Sequence, residues 1–185
     1  TVELGSSLRH STERVEPGHY QVRLDRYQVD AELTATQRVG VHRYAYPAGE
    51  SAQVVLDLAY NIYHHEGKNV WTSLRVENDS TLTGWRQTQG WARTRVVHFA
   101  IRLSEPLRHY QSMRRNDLAY NGFYRRFNEQ DGFPEFAGRD VRMLLDFGVL
   151  EQPLTLHVAL SGVSRAGALA NLEAESQSFD ATVTS

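Results

Sequence analysis

The stretch Val96-Val97-His98-Phe99-Ala100-Ile101-Arg102-Leu103-Ser104 decides the fold class. Successive side chains of a strand point to opposite faces, so Val97, Phe99, Ile101 and Leu103 share one face while His98, Ala100 and Arg102 take the other. A helix would need apolar residues three and four apart instead. The same period of two runs through Tyr20, Val22 and Leu24, set against His19, Gln21, Arg23 and Asp25. It returns in Met143, Leu145, Phe147 and Val149, and again in Leu154, Leu156, Val158 and Leu160. Pro153 lies between these last two runs, and its fixed φ and missing N–H suit a connecting turn, so the pair reads as a hairpin.

Working outward, further strands are expected at residues 29–41, 44–47, 53–59, 70–77 and 119–127. Turns are signalled by Pro17-Gly18, Ala48-Gly49, Glu66-Gly67, Asn78-Asp79 and Asp131-Gly132. Only Arg165–Glu175, rich in Ala and Glu with Ala168, Leu169 and Leu172 at helical spacing, reads as a helix. Many strands, regular turns and one or two short helices imply an all-β domain of two antiparallel sheets packed face to face, although a closed barrel gives the same pattern. The 185 residues suit one domain, and neither repeat nor low-complexity tract interrupts them.

Twenty basic and 22 acidic residues leave a net charge of −2, so no long-range field draws the chain to nucleic acid or an anionic membrane. Cysteine is absent, which removes disulfides, thiolate metal sites and a cysteine nucleophile. No run approaches the roughly 18 apolar residues of a membrane span, and the start lacks a signal-peptide pattern.

Spacing alone shows no catalytic signature: no Gly-rich phosphate loop, GxSxG elbow, HExxH or EF-hand loop. Tyr63-His64-His65-Glu66 reads as a solvated loop, since neighbours on a strand diverge. His42, His98 and His157 lie on the polar phase of their strands and read as surface histidines. Asp57, Asp140 and Asp146 are carboxylates that nothing in the spacing pairs. Asn78-Asp79-Ser80 fits a glycosylation sequon, which matters only in a eukaryotic secretory pathway. The distinctive segment is Gly84-Trp85-Arg86-Gln87-Thr88-Gln89-Gly90-Trp91, a polar, glycine-bracketed loop in this reading that holds two of the three tryptophans. Flat rings beside Arg and Gln suit a sugar, with the ring on a pyranose C–H face and the polar groups on its hydroxyls. The same residues also suit an aromatic plug that anchors the loop.

Several stretches together resemble the N-terminal domain of family 92 glycoside hydrolases. His10-Ser11-Thr12-Glu13-Arg14-Val15-Glu16-Pro17-Gly18-His19-Tyr20 is similar to that family's opening H-x-x-E-x-x-x-P-G-Y-Y, with His19 in place of the first tyrosine. Glu32-Leu33-Thr34-Ala35-Thr36-Gln37-Arg38-Val39-Gly40-Val41-His42-Arg43-Tyr44-Ala45-Tyr46-Pro47 resembles E-L-T-A-T-x-R-x-G-x-H-R-Y-T-F-P over its whole length. The likeness continues through Val55-Leu56-Asp57-Leu58, Gly84-Trp85-Arg86, Gly90-Trp91-Ala92 and Leu103-Ser104-Glu105-Pro106. It closes with Val158-Ala159-Leu160-Ser161-Gly162-Val163-Ser164 and Asn171-Leu172-Glu173-Ala174-Glu175.

The resemblance implies a sandwich of supersandwich type from a bacterial, calcium-dependent, inverting exo-α-mannosidase acting on α-1,2-linked and related mannosides, in the periplasm or secreted. It implies that acid and base lie in a helical C-terminal catalytic domain beyond Ser185, which is this domain's partner and the main holder of calcium. No catalytic residue, metal ligand or cofactor is then expected within residues 1–185, and the domain alone is expected to be inactive. Trp91 and Arg86 are carried over as sugar-facing, with Trp85 where the family more often has another aromatic. Mannose-containing glycans are the implied ligand. The alternative is a free-standing carbohydrate-binding or adhesion sandwich.

Overall fold

The computed structural model describes residues 4–61, 67–113 and 134–184. After a 3₁₀ turn at His10–Thr12 come twelve strands among the described residues. They are β1 Arg14–Glu16, β2 His19–Leu24, β3 Val29–Ala35, β4 Val39–Ala45, β5 Ser51–Asp57, β6 Asn69–Asn78, β7 Thr81–Thr88, β8 Arg95–Leu103, β9 His109–Ser112, β10 Glu135–Gly138, β11 Arg142–Val149 and β12 Leu154–Ser161. Two helices close the chain, α1 Arg165–Glu175 and α2 Phe179–Val183. A nine-stranded sheet runs β1-β2-β3-β4-β12-β8-β7-β6-β10 and a three-stranded sheet runs β5-β11-β9. Every pairing is antiparallel. The fold is the two-sheet sandwich with short helices, not a closed barrel.

The inward phase of β8, Phe99, Ile101 and Leu103, joins Leu74, Leu82, Leu154 and Leu156 of its own sheet. Together they meet Ala52, Met143, Leu145 and Phe147 of the small sheet in one core. The opposite phase is also covered. Ala100 on β8 and Ala159 on β12 are ladder partners, and with Val39 and Val41 they pack against Ala168 and Leu172 of α1 and Phe179 of α2. Two alanines side by side let the helix lie close to the sheet, as dense packing of the second layer requires. The Ser164 hydroxyl caps α1 by accepting from the Gly167 N–H at 3.0 Å.

Four expectations change in three dimensions. The expected runs 29–41 and 44–47 are instead β3 and β4, broken at Thr36-Gln37-Arg38, where the Thr36 N–H donates to the Val39 carbonyl at 2.9 Å; Tyr44 and Ala45 end β4 and Tyr46-Pro47 lie outside it. No Gly or Pro announces that turn; a hydroxyl does. β11 and β12 are not a hairpin, because β11 belongs to the small sheet and β12 to the large one. Both line the same core, so their alternation looks alike whether they pair side by side or face each other across the sandwich. Residues 84–88 lie in β7 rather than in a loop. His42 is not a surface histidine: it is half-buried, its Nδ1 lies 3.0 Å from the Tyr44 hydroxyl, and burial pushes its pKa down. The expected strand at 119–127, the Asp131-Gly132 turn and the 63–66 segment lie outside the described residues.

The long motif at 32–47 finds its use on the outer face, where it grips the end of the chain. The Glu175 carboxylate accepts from the Arg38 N–H at 2.9 Å and also from the Thr36 hydroxyl and the Arg38 guanidinium. Glu32 accepts from Arg43 Nε at 2.9 Å and lies 3.1 Å from His19 Nε2, while Arg43 Nη1 reaches Asp180 at 2.8 Å. The Arg43 guanidinium covers the Phe179 ring at 4.1 Å, and His19 meets that ring edge-on.

The Arg43 hydrogen bond leads the causes that hold Glu32 below the usual carboxylate range, against the opposing effect of its partial burial. With its folded pKa below the unfolded value of about 4.3, the stability Glu32 contributes is present above that pH and is lost as pH falls through the lower folded pKa. Glu32→Gln is expected to lower Tm near neutrality and to flatten the fall in Tm below about pH 4.3. An acid limb superimposable on that of the parent protein excludes Glu32 as a source of the slope.

Gly84 sits where a Cβ would lie 2.2 Å from the Ser73 carbonyl oxygen and 2.4 Å from the Phe99 ring. Its missing side chain is therefore what lets Phe99 lie over β7. Gly84→Ala is expected to cost about 1–3 kcal/mol through overpacking, read as a lower urea midpoint at unchanged m-value; an unchanged midpoint shows that the ring can swing away freely.

Candidate functional site

β7 and β8 form a hairpin whose connection, residues 89–94, is tied at its base. Gln87 Nε2 donates to the Thr94 hydroxyl at 2.8 Å, the Gln89 N–H to the Lys68 carbonyl at 2.9 Å, and Gln89 Nε2 to the Gly67 carbonyl at 2.8 Å. The Gly90 N–H closes the tip on the Ala92 carbonyl at 3.0 Å, and Gly90 has φ +149°, which other residues rarely adopt. This leaves Trp91 at a relative exposure of 110%. A ring held wholly in solvent anchors nothing, so the plug reading fails for Trp91.

The other two residues singled out from the sequence part company. Trp85 pairs in the ladder with Ser73 and His98, and Arg86 with Thr72 and Val97. As neighbours on a strand they face opposite sides. Arg86 shares the phase of Leu82 and Gly84, over the sandwich core, whereas Trp85 lies on the side that carries α1. Beside Trp85, His98 has a buried Nδ1 without a hydrogen-bond partner.

Arg86 is already engaged. Its Nε donates to Asn69 Oδ1 at 2.9 Å, and its Nη2 donates to both Asn69 and Asn61. Burial pushes its pKa down, and the nearby Asp57 carboxylate opposes that. Asp57 in turn lies 2.8 Å from Arg142 Nε, close enough for an ion pair although the geometry gives that N–H no hydrogen bond. The group is a partly buried polar joint between β5, β6, β7 and β11.

The cavity at this end of the sheet was not legible in the sequence. An open cleft of about 460 Å³ is lined by Arg95, Val96, Val97, Leu160, Ser161 and Gly162, where β8 begins and β12 ends. Its volume falls in the range of small-ligand sites. Val97 is the ladder partner of Arg86, so Arg86 flanks the cleft one strand away, and the Trp91 connection leads directly into Arg95. The Arg95 side chain makes no hydrogen bond or ion pair among the described residues. A signal for the cleft existed only in the break of alternation at Ser161-Gly162.

The arrangement brings together an exposed ring at the hairpin tip, a cation at the cleft, and hydroxyl and backbone groups. Among the described residues no three His, Asp or Glu side chains gather as a cation site. No helix among them is long and apolar enough to cross a membrane.

Comparison with known proteins places this geometry. The sequence profile of the glycosyl hydrolase family 92 N-terminal domain matches residues 1–161. The chain belongs to glycosyl hydrolase family 92. Among solved structures it is similar to the family 92 α-mannosidase BT3965 from Bacteroides thetaiotaomicron, with 27% identity and TM-score 0.82 over 97% of this chain and 24% of that one. It is also similar to the family 92 glycosyl hydrolase ccman5, at 26% identity and TM-score 0.78 over 97% and 24% of the two chains. The inverting mannosidase BT2199 from Bacteroides thetaiotaomicron VPI-5482 shares the fold at 24% identity and TM-score 0.72, over 97% of this chain and 22% of that one. No curated protein sequence matches. This family 92 domain spans about a quarter of the length of the mannosidases it matches.

If Arg86 is the joint described above, Arg86→Met strands the Asn61 and Asn69 oxygens and is expected to cost about 1–3 kcal/mol of stability. Thermal melts test this, and an unchanged Tm identifies a guanidinium free to serve a ligand.

Proposed function

We propose that this chain is the accessory sandwich of an inverting exo-α-mannosidase acting on α-1,2-linked and related mannosides. It docks on its own C-terminal catalytic domain and supplies part of the sugar-binding rim. The observation that carries this reading is Trp91, fully exposed at the tip of a tied hairpin beside a cleft, in a family 92 domain. A solved complex of BT3965 with mannoimidazole supports a mannose-like ligand for the family. Trp91 offers its ring to the C–H face of a mannose unit, while Arg86, held by Asn61 and Asn69, supports the cleft from one strand away. Trp85, on the opposite face of the sheet, has no part in this rim.

The division of labour leaves hydrolysis to carboxylates outside residues 1–185. Inversion asks for an acid and a base about 6.5–9.5 Å apart with water between them. Calcium belongs to the catalytic domain in this reading, and the compartment is periplasmic or extracellular.

In the full-length enzyme Trp91→Ala is expected to weaken mannoside binding or turnover by about 1–3 kcal/mol in kcat/KM, with Tm unchanged because the ring supports no core. A variant with parent-like kinetics removes Trp91 from the rim and leaves the domain a scaffold.

A further inference from the structure

We infer that the outer face of β6, β7 and β8, beside α1, is the surface on which the catalytic domain of the same chain docks, with Trp71 and Trp85 as its aromatic centre. The inference rests on the reading of this chain as a docked accessory sandwich and adds the face and the residues that do the docking.

The ladder sets Trp71 opposite Gln87 and Ser73 opposite Trp85, and on the next strand Gln87 opposite Val96 and Trp85 opposite His98. Ladder partners share a face, so these side chains form one patch, on the side of the large sheet that carries Ala100 and α1. None of them is Asp, Glu, Lys or Arg. The far half of the same face differs. On β2, β3 and β4 it carries Arg23, Asp30, Glu32 and Arg43, tied in ion pairs. Within the uncharged patch Trp71 stays open to solvent. His98 Nδ1 is buried there without a hydrogen-bond partner among the described residues.

An indole facing water in a patch without charge marks a contact surface. Gln87 already donates its side-chain amide to Thr94, so a glycan laid here finds rings but few partners for its hydroxyls. A protein surface brings apolar side chains against the rings and a polar group to His98 Nδ1, which relieves the cost of leaving that nitrogen unpaired. The occupant follows from the placement of the helices. α1 packs on β12 and β8, and α2 on β3 and β4, all on this side of the sheet, so a domain C-terminal to them is tethered to this face. Val163, exposed in the link between β12 and α1, adds apolar surface along the same edge. The chain spans 24% of the matched α-mannosidase BT3965, so a protein of that size carries ample further polypeptide to cover the patch.

The test is maleimide labelling of the full-length protein, read by peptide mass spectrometry. Residues 1–185 contain no cysteine, so one introduced thiol reports its own position. Trp71 and Val149 are similarly open in the sandwich, at 43% and 51%, so a difference between Trp71→Cys and Val149→Cys comes from what covers them. The quantity compared is protection, the labelling rate in denaturant divided by that in the native protein. Protection is expected to be at least about tenfold larger for Trp71→Cys than for Val149→Cys. Hydroxyl-radical footprinting of the parent protein, with Trp71 expected to resist oxidation, guards against a cysteine that itself loosens the joint. Equal protection of the two thiols together with ready oxidation of Trp71 overturns the proposal. Protection lost on dilution, which marks a second copy, also overturns it, as does protection that appears only with added mannan, which marks a glycan. If Trp71 is open while Val149→Cys or a Val15→Cys thiol on the β1 edge is protected, docking stands but uses another face, and this inference alone fails. If all three positions are open, the docking reading fails with it.

Discussion

The large sheet is buried on both faces along its centre, and the rest of the molecule is arranged around that constraint. Strand β8 carries Phe99, Ile101 and Leu103 into the sandwich and Ala100 into the layer beneath α1. A strand covered on both sides can neither slip by one residue nor twist away without exchanging a large side for a small one. Its neighbours β7 and β12 are therefore held in register, and with them the two connections that shape the cleft, the Trp91 hairpin and the Ser161-Gly162 turn. Gly84 serves the same end by yielding space to the Phe99 ring.

The charged residues of the 32–47 motif belong to this architecture rather than to chemistry. Thr36, Arg38, Glu32 and Arg43 hold Glu175, Phe179 and Asp180 against the outer face. Each contact is modest because the groups are partly solvated, but they act on one short segment, and the Phe179 ring beneath Arg43 turns two ion pairs into a packed joint. The same economy separates the two arginines of the site. Arg86 is consumed by Asn61 and Asn69 inside the fold, while the Arg95 side chain, nine residues later at the start of the next strand, has no polar partner among the described residues.

Much of this was legible in the residues. Period-two faces located β2, β8, β11 and β12, and Ala- and Glu-rich spacing located α1 with its observed bounds. The family motifs pointed to the domain that the profile and the solved structures match. Trp91 was legible as a residue with no apolar phase to join. Arg95 was not, since an arginine beginning a strand looks like any other until its partners are known.

The sequence by itself determined which residues alternate, where glycine must turn the chain and which side chains are too polar to enter the core, because these follow from local geometry and solvation. Only the tertiary structure decided that β11 and β12 lie in different sheets, that Trp85 and Arg86 belong to strand β7 and so face apart, and that Arg86 is held by Asn61 and Asn69. The physical reason is common to all three. Alternation records that a side chain is buried, not what buries it, and a cation's availability depends on partners that are distant in sequence, as Asn61 and Asn69 are from Arg86.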